Sequence, residues 1–336
     1  MHLHRTFAFV VLFFVSISVL GEEYVNVYSY RKPQLIQPLF EAFTDDTGIK
    51  VNSVFSRKGM LEKIISEGRN SPVDIILTVD IGRLTDLKNA GVTQSLVSST
   101  VEQSIPHNFR DPEGHWFGLT SRARIIVSSK SRVGIGSVLR YEDLTSAKWK
   151  GKICTRSGKH PYMSALIASV VAASGETEAE TWLSGVKANL ARKPQGNDRA
   201  QVKAIYEGLC DLAVINHYYM AMMYADPEQK KWAEAVNVIF PNQGDRGAHM
   251  NVSGAAIAKY APNKKNAVQL LEFLTRTEGQ EIYASRNSEY PVTAGVPRSP
   301  LLISWGDFRQ DNLSLTDIAG KRIQAIMIAD RVGYNN

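Results

Sequence analysis

The sequence predicts an α/β protein with two lobes that are joined by crossing strands. Short apolar segments recur along the 336 residues, and most are followed by a stretch with helical periodicity. This alternation is typical of parallel sheets with helices on both faces. The chain is long enough for two domains, and no low-complexity linker interrupts it. Two lobes joined by strands rather than by a flexible tether form the architecture of a ligand clamp.

The first predicted lobe starts with three strand–helix units. The predicted strands cover residues 24–30, 50–55 and 73–79, and the predicted helices cover residues 34–47, 59–68 and 81–90. The third strand, VDIILTV, is almost entirely apolar, which is typical of a buried strand. The apolar segment ARIIVS at 123–128 is predicted to cross between the lobes.

The remaining elements repeat the alternation. Strands are predicted at 152–156, near 187–191, and at 211–215, 235–240 and 254–259. Helices are predicted at about 162–173, 198–207, from about 217, and at 264–275, 278–286 and 315–331. We expect one lobe to comprise residues 22–121 and 247–297, and the other to comprise residues 122–246 and 298–336.

The N-terminal residues 1–21 have the layout of a signal peptide. A basic start precedes the apolar run FAFVVLFFVSISVL, and small or modest side chains lie just before Glu22. The run is shorter than the roughly 20 residues that a membrane span needs. We therefore expect export and cleavage, with a retained membrane anchor as the alternative.

Charge and motifs argue against two functional classes. The net charge is +6, but the basic residues are scattered among acidic ones, without an arginine stripe interleaved with aromatic residues. Together with export, this pattern argues against a nucleic-acid partner. The sequence contains no nucleophile elbow, HExxH motif, P-loop or dinucleotide fingerprint, so nothing in it favours an enzyme.

The two cysteines, Cys154 and Cys210, each lie at a predicted strand. An even number of cysteines in an exported chain permits a disulfide. Strands that follow one another in an α/β lobe are often neighbours, so the two sulfurs can meet. The alternative is a pair of buried free thiols.

Tyrosines recur at three predicted strand-to-helix junctions, as Tyr30, Tyr162 and the pair Tyr218 and Tyr219. Ligands of open parallel sheets bind beyond the carboxyl ends of the strands. Helix starts there favour negative charge, and phenolate is a hard anionic donor that suits ferric iron. Tyrosines at helix starts also commonly pack with the hydroxyl in water, so the spacing alone leaves both interpretations open.

Three side chains are predicted to begin helices near these junctions. Pro161 suits the first helical position. Asn216 and Asp80 are predicted to cap the helices that follow them.

The sequence resembles the periplasmic ferric-ion-binding proteins of bacterial ABC importers over essentially the whole mature chain. The resemblance is carried by VNVYSYRKPQLIQPLFEAFTDDTGIKV, ILTVDIGRL, HWFGLTSRARIIV, YEDLTSAKWKGKICTRSG, NLARKPQGNDRAQVKAIYEGLCDLAVINHYYM and ASRNSEYPV. It implies the type II bilobal periplasmic-binding-protein fold, with two doubly wound lobes joined by hinge strands and Fe(III) in the cleft. It also implies a monomer in the periplasm that delivers iron to an inner-membrane ABC permease.

The resemblance also implies the iron ligands. The tandem tyrosines of the family correspond to Tyr218 and Tyr219, and its third tyrosine corresponds to Tyr162. A further tyrosine, present after the first strand in some subgroups, corresponds to Tyr30. Four tyrosines, or three tyrosines with carbonate or water, both remain open.

Two arginines complete the predicted site. The family has an arginine on the inter-lobe strand close to the metal, and Arg122 corresponds to it. Arg31 is expected to serve similarly or to hold an anion. Another subgroup has His-Tyr just after this arginine, but here Lys32 and Pro33 follow, so this segment offers no histidine ligand.

Two rival functions remain. The same fold can hold a small anion, with Arg31 and Arg122 as the binding groups and the tyrosines stacking on the ligand. An enzyme or a sensor domain can also reuse this fold.

Overall fold

A computed structural model describes residues 23–336. The predicted signal peptide, residues 1–21, lies outside the described residues. Within residues 23–336, none of the helices combines the length and the apolarity needed to cross a bilayer.

Short strands alternate with helices along most of the chain. The strands are β1 (Tyr24–Ser29), β2 (Lys50–Phe55), β3 (Ile75–Thr78), β4 (Phe117–Ser129), β5 (Ile153–Cys154), β6 (Leu212–Asn216), β7 (Val236–Ile239), β8 (Met250–Ile257) and β9 (Tyr290–Pro291).

The helices are α1 (Pro33–Thr47), α2 (Met60–Glu67), α3 (Ile81–Asn89), α4 (Ser99–Ser104), α5 (Pro161–Ser174), α6 (Glu176–Ala188), α7 (Asp198–Tyr206), α8 (Tyr218–Tyr224), α9 (Lys230–Glu234), α10 (Lys264–Thr275), α11 (Thr277–Asn287), α12 (Pro300–Ser304), α13 (Leu315–Gly320) and α14 (Arg322–Arg331).

The strands form one continuous path in the order β2-β1-β3-β8-β4-β6-β5, and β7 and β9 also pair with β4. β1 is parallel to β2 and β3, and β5 is parallel to β6. In contrast, β8 is antiparallel to β3, and β4 is antiparallel to both β8 and β6. The prediction of parallel sheets is therefore wrong in part, because the strands that cross between the lobes enter each sheet in the opposite direction.

Each half of this path has its own hydrophobic core. We call the half around β1, β2 and β3 the first lobe, and the half around β5, β6 and β7 the second lobe. In the first lobe, α1 and α10 pack together through Phe43 and Phe273, whose rings lie edge to face 5.6 Å apart. In the second lobe, neighbouring residues of β4 enter two different cores, because successive strand side chains point to opposite faces. Ile126 packs in one core and Ile125 in the other, so helices cover both faces, as predicted.

Two long strands connect the lobes. All thirteen residues of β4 are buried; its first half pairs with β8 and its second half with β6 and β7. The crossing strand predicted at 123–128 is thus confirmed as part of a longer strand. Helix α13 also contacts both lobes, because Leu315 packs against a first-lobe cluster and Ile318 joins a core of the second lobe.

The strand predicted near 187–191 is wrong. Its first two residues, 187 and 188, are the end of α6, whose buried residues recur at helical spacing: Ala179, Trp182, Leu183 and Val186. Only Leu190 forms an isolated bridge, to Ile153. The single helical segment predicted at 315–331 is divided into α13 and α14. The remaining elements lie at or near their predicted positions.

The predicted disulfide is present. Cys154 at the end of β5 is bonded to Cys210 just before β6, and their Cα atoms lie 6.0 Å apart. The Asp80 side chain accepts a hydrogen bond from the backbone N–H of Arg83 and so caps α3, as predicted. Pro161 is the first residue of α5, also as predicted.

Candidate ligand-binding cleft

A cleft of about 550 Å³ lies between the two lobes. Its walls combine tyrosines with cationic side chains. The lining includes Tyr30, Arg31, Lys32, Arg122, Tyr162, Arg199, Tyr218, Tyr219 and Arg286. The structure thus brings all six predicted site residues to one cavity.

Tyr162 is positioned by the start of α5. The ring nitrogen Nδ1 of His160 accepts a hydrogen bond from the backbone N–H of Tyr162 at 3.2 Å, and Pro161 provides the preset backbone of the first helical position. The Tyr162 ring therefore projects from a defined helix N-terminus, where unpaired backbone N–H groups favour negative charge.

The tandem tyrosines begin α8, directly after β6. The Tyr218 hydroxyl donates to the Tyr162 hydroxyl at 3.2 Å, and the rings of Tyr218 and Tyr219 lie 4.4 Å apart. Three phenol groups from two strand-to-helix junctions are therefore neighbours. The prediction that Asn216 caps α8 is wrong, because its side-chain oxygen accepts from Arg124 instead.

His217 is fully buried beside this pair, and both of its ring nitrogens are hydrogen-bonded to the backbone. Its Nδ1 accepts from the backbone N–H of Ala123 at 3.1 Å, so its Nε2–H donates to the carbonyl oxygen of Ser288 at 3.0 Å. Burial lowers the pKa of His217 to about 4. The neutral ring connects the base of α8 to β4 and to the segment before β9.

Tyr30 reaches the cleft from the first lobe. Its hydroxyl accepts a hydrogen bond from the backbone N–H of Leu61 at 3.2 Å, and the Arg83 guanidinium lies 4.3 Å from the ring centroid. Within residues 23–336, Tyr30 shares no hydrogen bond with the other three tyrosines, although all four line the same cavity.

Arg122 connects the two walls of the cleft. Its guanidinium donates to the carbonyl oxygen of Val79 and, at 3.0 Å, to the Ser253 hydroxyl. The same guanidinium carbon lies 5.4 Å from the centroid of the Tyr162 ring. Arg122 is therefore at the tyrosine cluster, as the resemblance implies.

Arg31 lines the cleft but already has a carboxylate partner. Its Nη2 lies 3.1 Å from Glu289, and its guanidinium also donates to the side chains of Ser253 and Asn287. Both members of this ion pair are buried. Burial opposes the ionisation of Glu289, but Arg31 and Arg122 outweigh it and hold the pKa of the carboxyl below its usual range.

A buried ion network beneath the tyrosines was not predicted from the sequence. Asp198, the first residue of α7, accepts from Arg124 and from Arg156, each at 2.7 Å. The Arg156 guanidinium in turn lies 5.3 Å from the Tyr162 ring centroid. These partners come from β4, from the loop after β5 and from α7, so no local pattern marks them.

The buried phenols resist ionisation. Burial, followed by the neighbouring tyrosines, raises the pKa of Tyr218, and burial raises the pKa of Tyr219 to about 12. Burial also raises the pKa of Tyr30. Tyr30, Tyr218 and Tyr219 are therefore neutral near pH 7, and a strong cation at the hydroxyls would favour phenolate. Among residues 23–336, no group of three or more His, Cys, Asp or Glu side chains is placed to hold a metal ion.

The two-lobed fold with a cleft between the lobes defines the class of solute-binding proteins. The family model for bacterial extracellular solute-binding proteins matches residues 70–304, and the chain belongs to this family.

Among its relatives, the iron uptake protein A1 of Synechocystis sp. is 42% identical over 316 residues, which are 93% of this chain and 88% of that protein. The ferric iron-binding protein A of Mannheimia haemolytica, solved in an open conformation, has a TM-score of 0.90 and 47% identity, covering 94% of this chain and 99% of that one. A Trichodesmium protein in complex with iron and citrate ligands has a TM-score of 0.89 and 43% identity, covering 93% and 99%. The expected type II bilobal fold is confirmed.

Proposed function

We propose that this protein captures ferric iron in the inter-lobe cleft with tyrosinate ligands and delivers it to an ABC importer. Tyr162, Tyr218 and Tyr219 are the core ligands in this proposal, and Tyr30 is the ligand from the first lobe. The observation that carries it is the contact between the Tyr218 and Tyr162 hydroxyls at 3.2 Å within the cleft. Phenolate oxygens so close together repel unless a highly charged cation lies between them.

The relatives support the identity of the ion. Their names describe iron uptake and ferric iron binding, and they match this chain over nearly its full length. The iron and citrate in the Trichodesmium structure also favour a second, anionic ligand. We propose that carbonate or another synergistic anion completes the coordination, with Arg122 as its main cationic partner and Arg31 as a secondary one.

The proposed mechanism is a closing clamp. The second-lobe tyrosines bind Fe(III) first and release protons as they ionise. The first lobe then closes, brings Tyr30 to the ion and excludes water. Closure shifts the population between open and closed states and creates the surface that the permease recognises.

The same proposal implies the location of the protein in the cell, its oligomeric state and its partner. We place the protein in the periplasm as a monomer and a transport protein rather than an enzyme, exported by the signal peptide at 1–21. Its partner is an inner-membrane ABC permease. The lobe boundaries remain those predicted, 22–121 with 247–297 and 122–246 with 298–336.

A visible absorption titration of the purified protein with chelated Fe(III) tests the proposal. We expect a broad tyrosinate-to-iron charge-transfer band that saturates at one iron per chain and is strongly weakened in Tyr218→Phe. Tyr224→Phe is the matched control, since Tyr224 ends the same helix and its hydroxyl contacts the carbonyl of Ala233. Absence of a band in the unmodified protein would contradict ferric binding by tyrosinate.

The cationic lining favours a second candidate, a binder of small anions. Arg122, Arg199 and Arg286 all face the cleft. In that case, thermal-shift measurements with phosphate, carbonate and citrate in the absence of iron would show stabilisation, and iron would give no charge-transfer band.

A further inference from the structure

We infer that Arg156, held by Asp198, is a positioning residue that orients the Tyr162 ring toward the bound ion. This inference rests on the proposed function and concerns the same site. It adds a residue that lies behind the tyrosines rather than in contact with the ion.

The first observation is the position of two guanidinium groups beside one ring. The guanidinium carbon of Arg156 lies 5.3 Å from the centroid of the Tyr162 ring, and that of Arg122 lies 5.4 Å from it. Both distances are within the range of attractive cation–π contacts. The ring orientation of Tyr162 is therefore set by two cations as well as by the start of α5.

The second observation is the anchor behind Arg156. Asp198 has no solvent exposure, and its two oxygens are divided between Arg156 and Arg124. Arg124 also donates to the Asn216 side chain at 3.1 Å and to the Val214 carbonyl oxygen at 3.0 Å. One carboxylate thus ties the loop that leads to Tyr162 to the end of β6, which leads to Tyr218 and Tyr219.

The positions of Arg122 and Arg156 are fixed by contacts with different parts of the fold. Arg122 donates to the carbonyl oxygen of Val79 in the first lobe, so its position is coupled to the spacing of the lobes. Arg156 and Asp198 lie within the second lobe, and their contact does not cross the cleft. We therefore expect Arg156 to keep Tyr162 in place when the lobes are apart, which is the state in which iron enters.

The chemistry of the guanidinium group explains why a lysine at position 156 cannot fully replace Arg156. A planar guanidinium can pair with a carboxylate and lie against an aromatic ring at the same time, whereas an ammonium is a compact point charge. Arg156→Lys keeps a cation near Asp198 and loses the planar contact with the ring. Arg156→Gln loses both.

The matched control is Arg192. Its guanidinium donates to the Ala200 carbonyl oxygen and to the side chain of Gln201, both on α7, the helix that Asp198 begins. Arg192→Gln therefore removes an arginine that contacts the same helix without removing a contact to Tyr162.

The first measurement needs no iron. NMR spectra of iron-free protein with labelled tyrosine rings, assigned with Tyr162→Phe, report the ring environment. We expect the Tyr162 signals to move in Arg156→Gln and in Arg156→Lys, and to remain unchanged in Arg192→Gln. Unchanged Tyr162 signals in a folded Arg156 variant would overturn the inference.

The second measurement is iron release to an excess of chelator, with the position of the charge-transfer band. We expect roughly tenfold faster release from Arg156→Gln, with a shifted band, and an intermediate rate from Arg156→Lys. If Arg156→Gln does not fold, Arg156→Lys is decisive, and wild-type signals, band and rate in it would overturn the inference.

The two measurements separate the two ideas. No charge-transfer band in the unmodified protein would refute the ferric-site proposal, while the iron-free spectra would still decide whether Arg156 orients Tyr162. A band in the unmodified protein with unaltered Arg156 variants would refute only the positioning role.

Discussion

The Tyr218 hydroxyl donates to the Tyr162 hydroxyl at 3.2 Å, although the two residues are 56 positions apart in the chain. Tyr162 lies in the first turn of α5, after β5, and Tyr218 begins α8, after β6. The strands β5 and β6 are parallel neighbours. The two helix starts therefore meet at the same sheet edge. The pair is built from one lobe alone, and the proposed mechanism therefore starts with iron binding in that lobe.

Tyr30 and Tyr218 are expected to contribute unequally. Tyr30→Phe leaves the three second-lobe phenols intact, so we expect the charge-transfer band to persist with a small shift and a roughly tenfold loss of affinity, equal to about 1.4 kcal/mol. Tyr218→Phe removes a member of the converged cluster, and we expect a much larger loss. Competition with a chelator measures both. Equal losses in the two variants would contradict a binding order that starts in the second lobe.

Iron affinity should fall steeply as the pH falls. Burial raises the pKa values of Tyr30, Tyr218 and Tyr219, that of Tyr219 to about 12, so these phenols are protonated before iron binds. Each phenolate ligand then releases one proton, and the affinity falls about tenfold per pH unit for each such ligand. With these three ligands alone, we expect a loss of at least about a thousandfold per pH unit below neutrality. Chelator competition at several pH values checks this, and Tyr219→Phe should reduce the slope by about one proton.

Glu289 is expected to stabilise the fold through Arg31. Glu289→Gln leaves a buried guanidinium without its counter-charge, so we expect a loss of about 3 kcal/mol or more in the free energy of unfolding. Arg31 and Arg122 lower the pKa of Glu289 in the folded state. The contribution of Glu289 to the free energy of unfolding is therefore fully present above the ordinary glutamate pKa, and it is lost as the pH falls through the lowered pKa of the folded protein. Urea denaturation measures the loss. The exposed Glu278, on the adjoining helix α11, provides the control Glu278→Gln, which should change little.

The disulfide should contribute mainly to stability. It joins residues 56 positions apart, and closing a loop of that length stabilises the folded state by about 4 kcal/mol in the chain-entropy model. We expect Cys154→Ala with Cys210→Ala to lower the urea midpoint while the iron stoichiometry stays unchanged. Loss of the charge-transfer band in the folded double variant would show that the disulfide also shapes the site.

Much of the fold could be predicted because the local patterns are strong. Helix α1 is predicted to end at Gly48, whose backbone φ of 75° suits glycine, and its predicted start at residue 34 lies one residue after the observed start at Pro33. Strand β2 was located at its observed bounds from its composition. The tyrosine cluster was foreseeable because strand-to-helix junctions of a sheet face one edge.

The rest depends on contacts between distant segments. Asp198 pairs with Arg156, 42 positions away, and with Arg124, 74 positions away, and no spacing rule connects them. His217 could be recognised as a neighbour of the tyrosines, but not as the link from α8 to Ser288. The incorrect strand near 187–191 lies where α6 ends at Ala188 and Leu190 forms a single bridge to Ile153, and a short segment of the sequence does not mark that boundary.

Strand β8 has a consequence for the order of folding. It completes the sheet of the first lobe by pairing Ile257 with Ile75 and Gly254 with Thr78, residues separated by most of the chain. During synthesis the first lobe therefore lacks an inner strand of its sheet until residues beyond 257 have left the ribosome. Pairings of such long range form slowly. The N-terminal half is thus expected to remain without its complete native sheet until most of the polypeptide has been made.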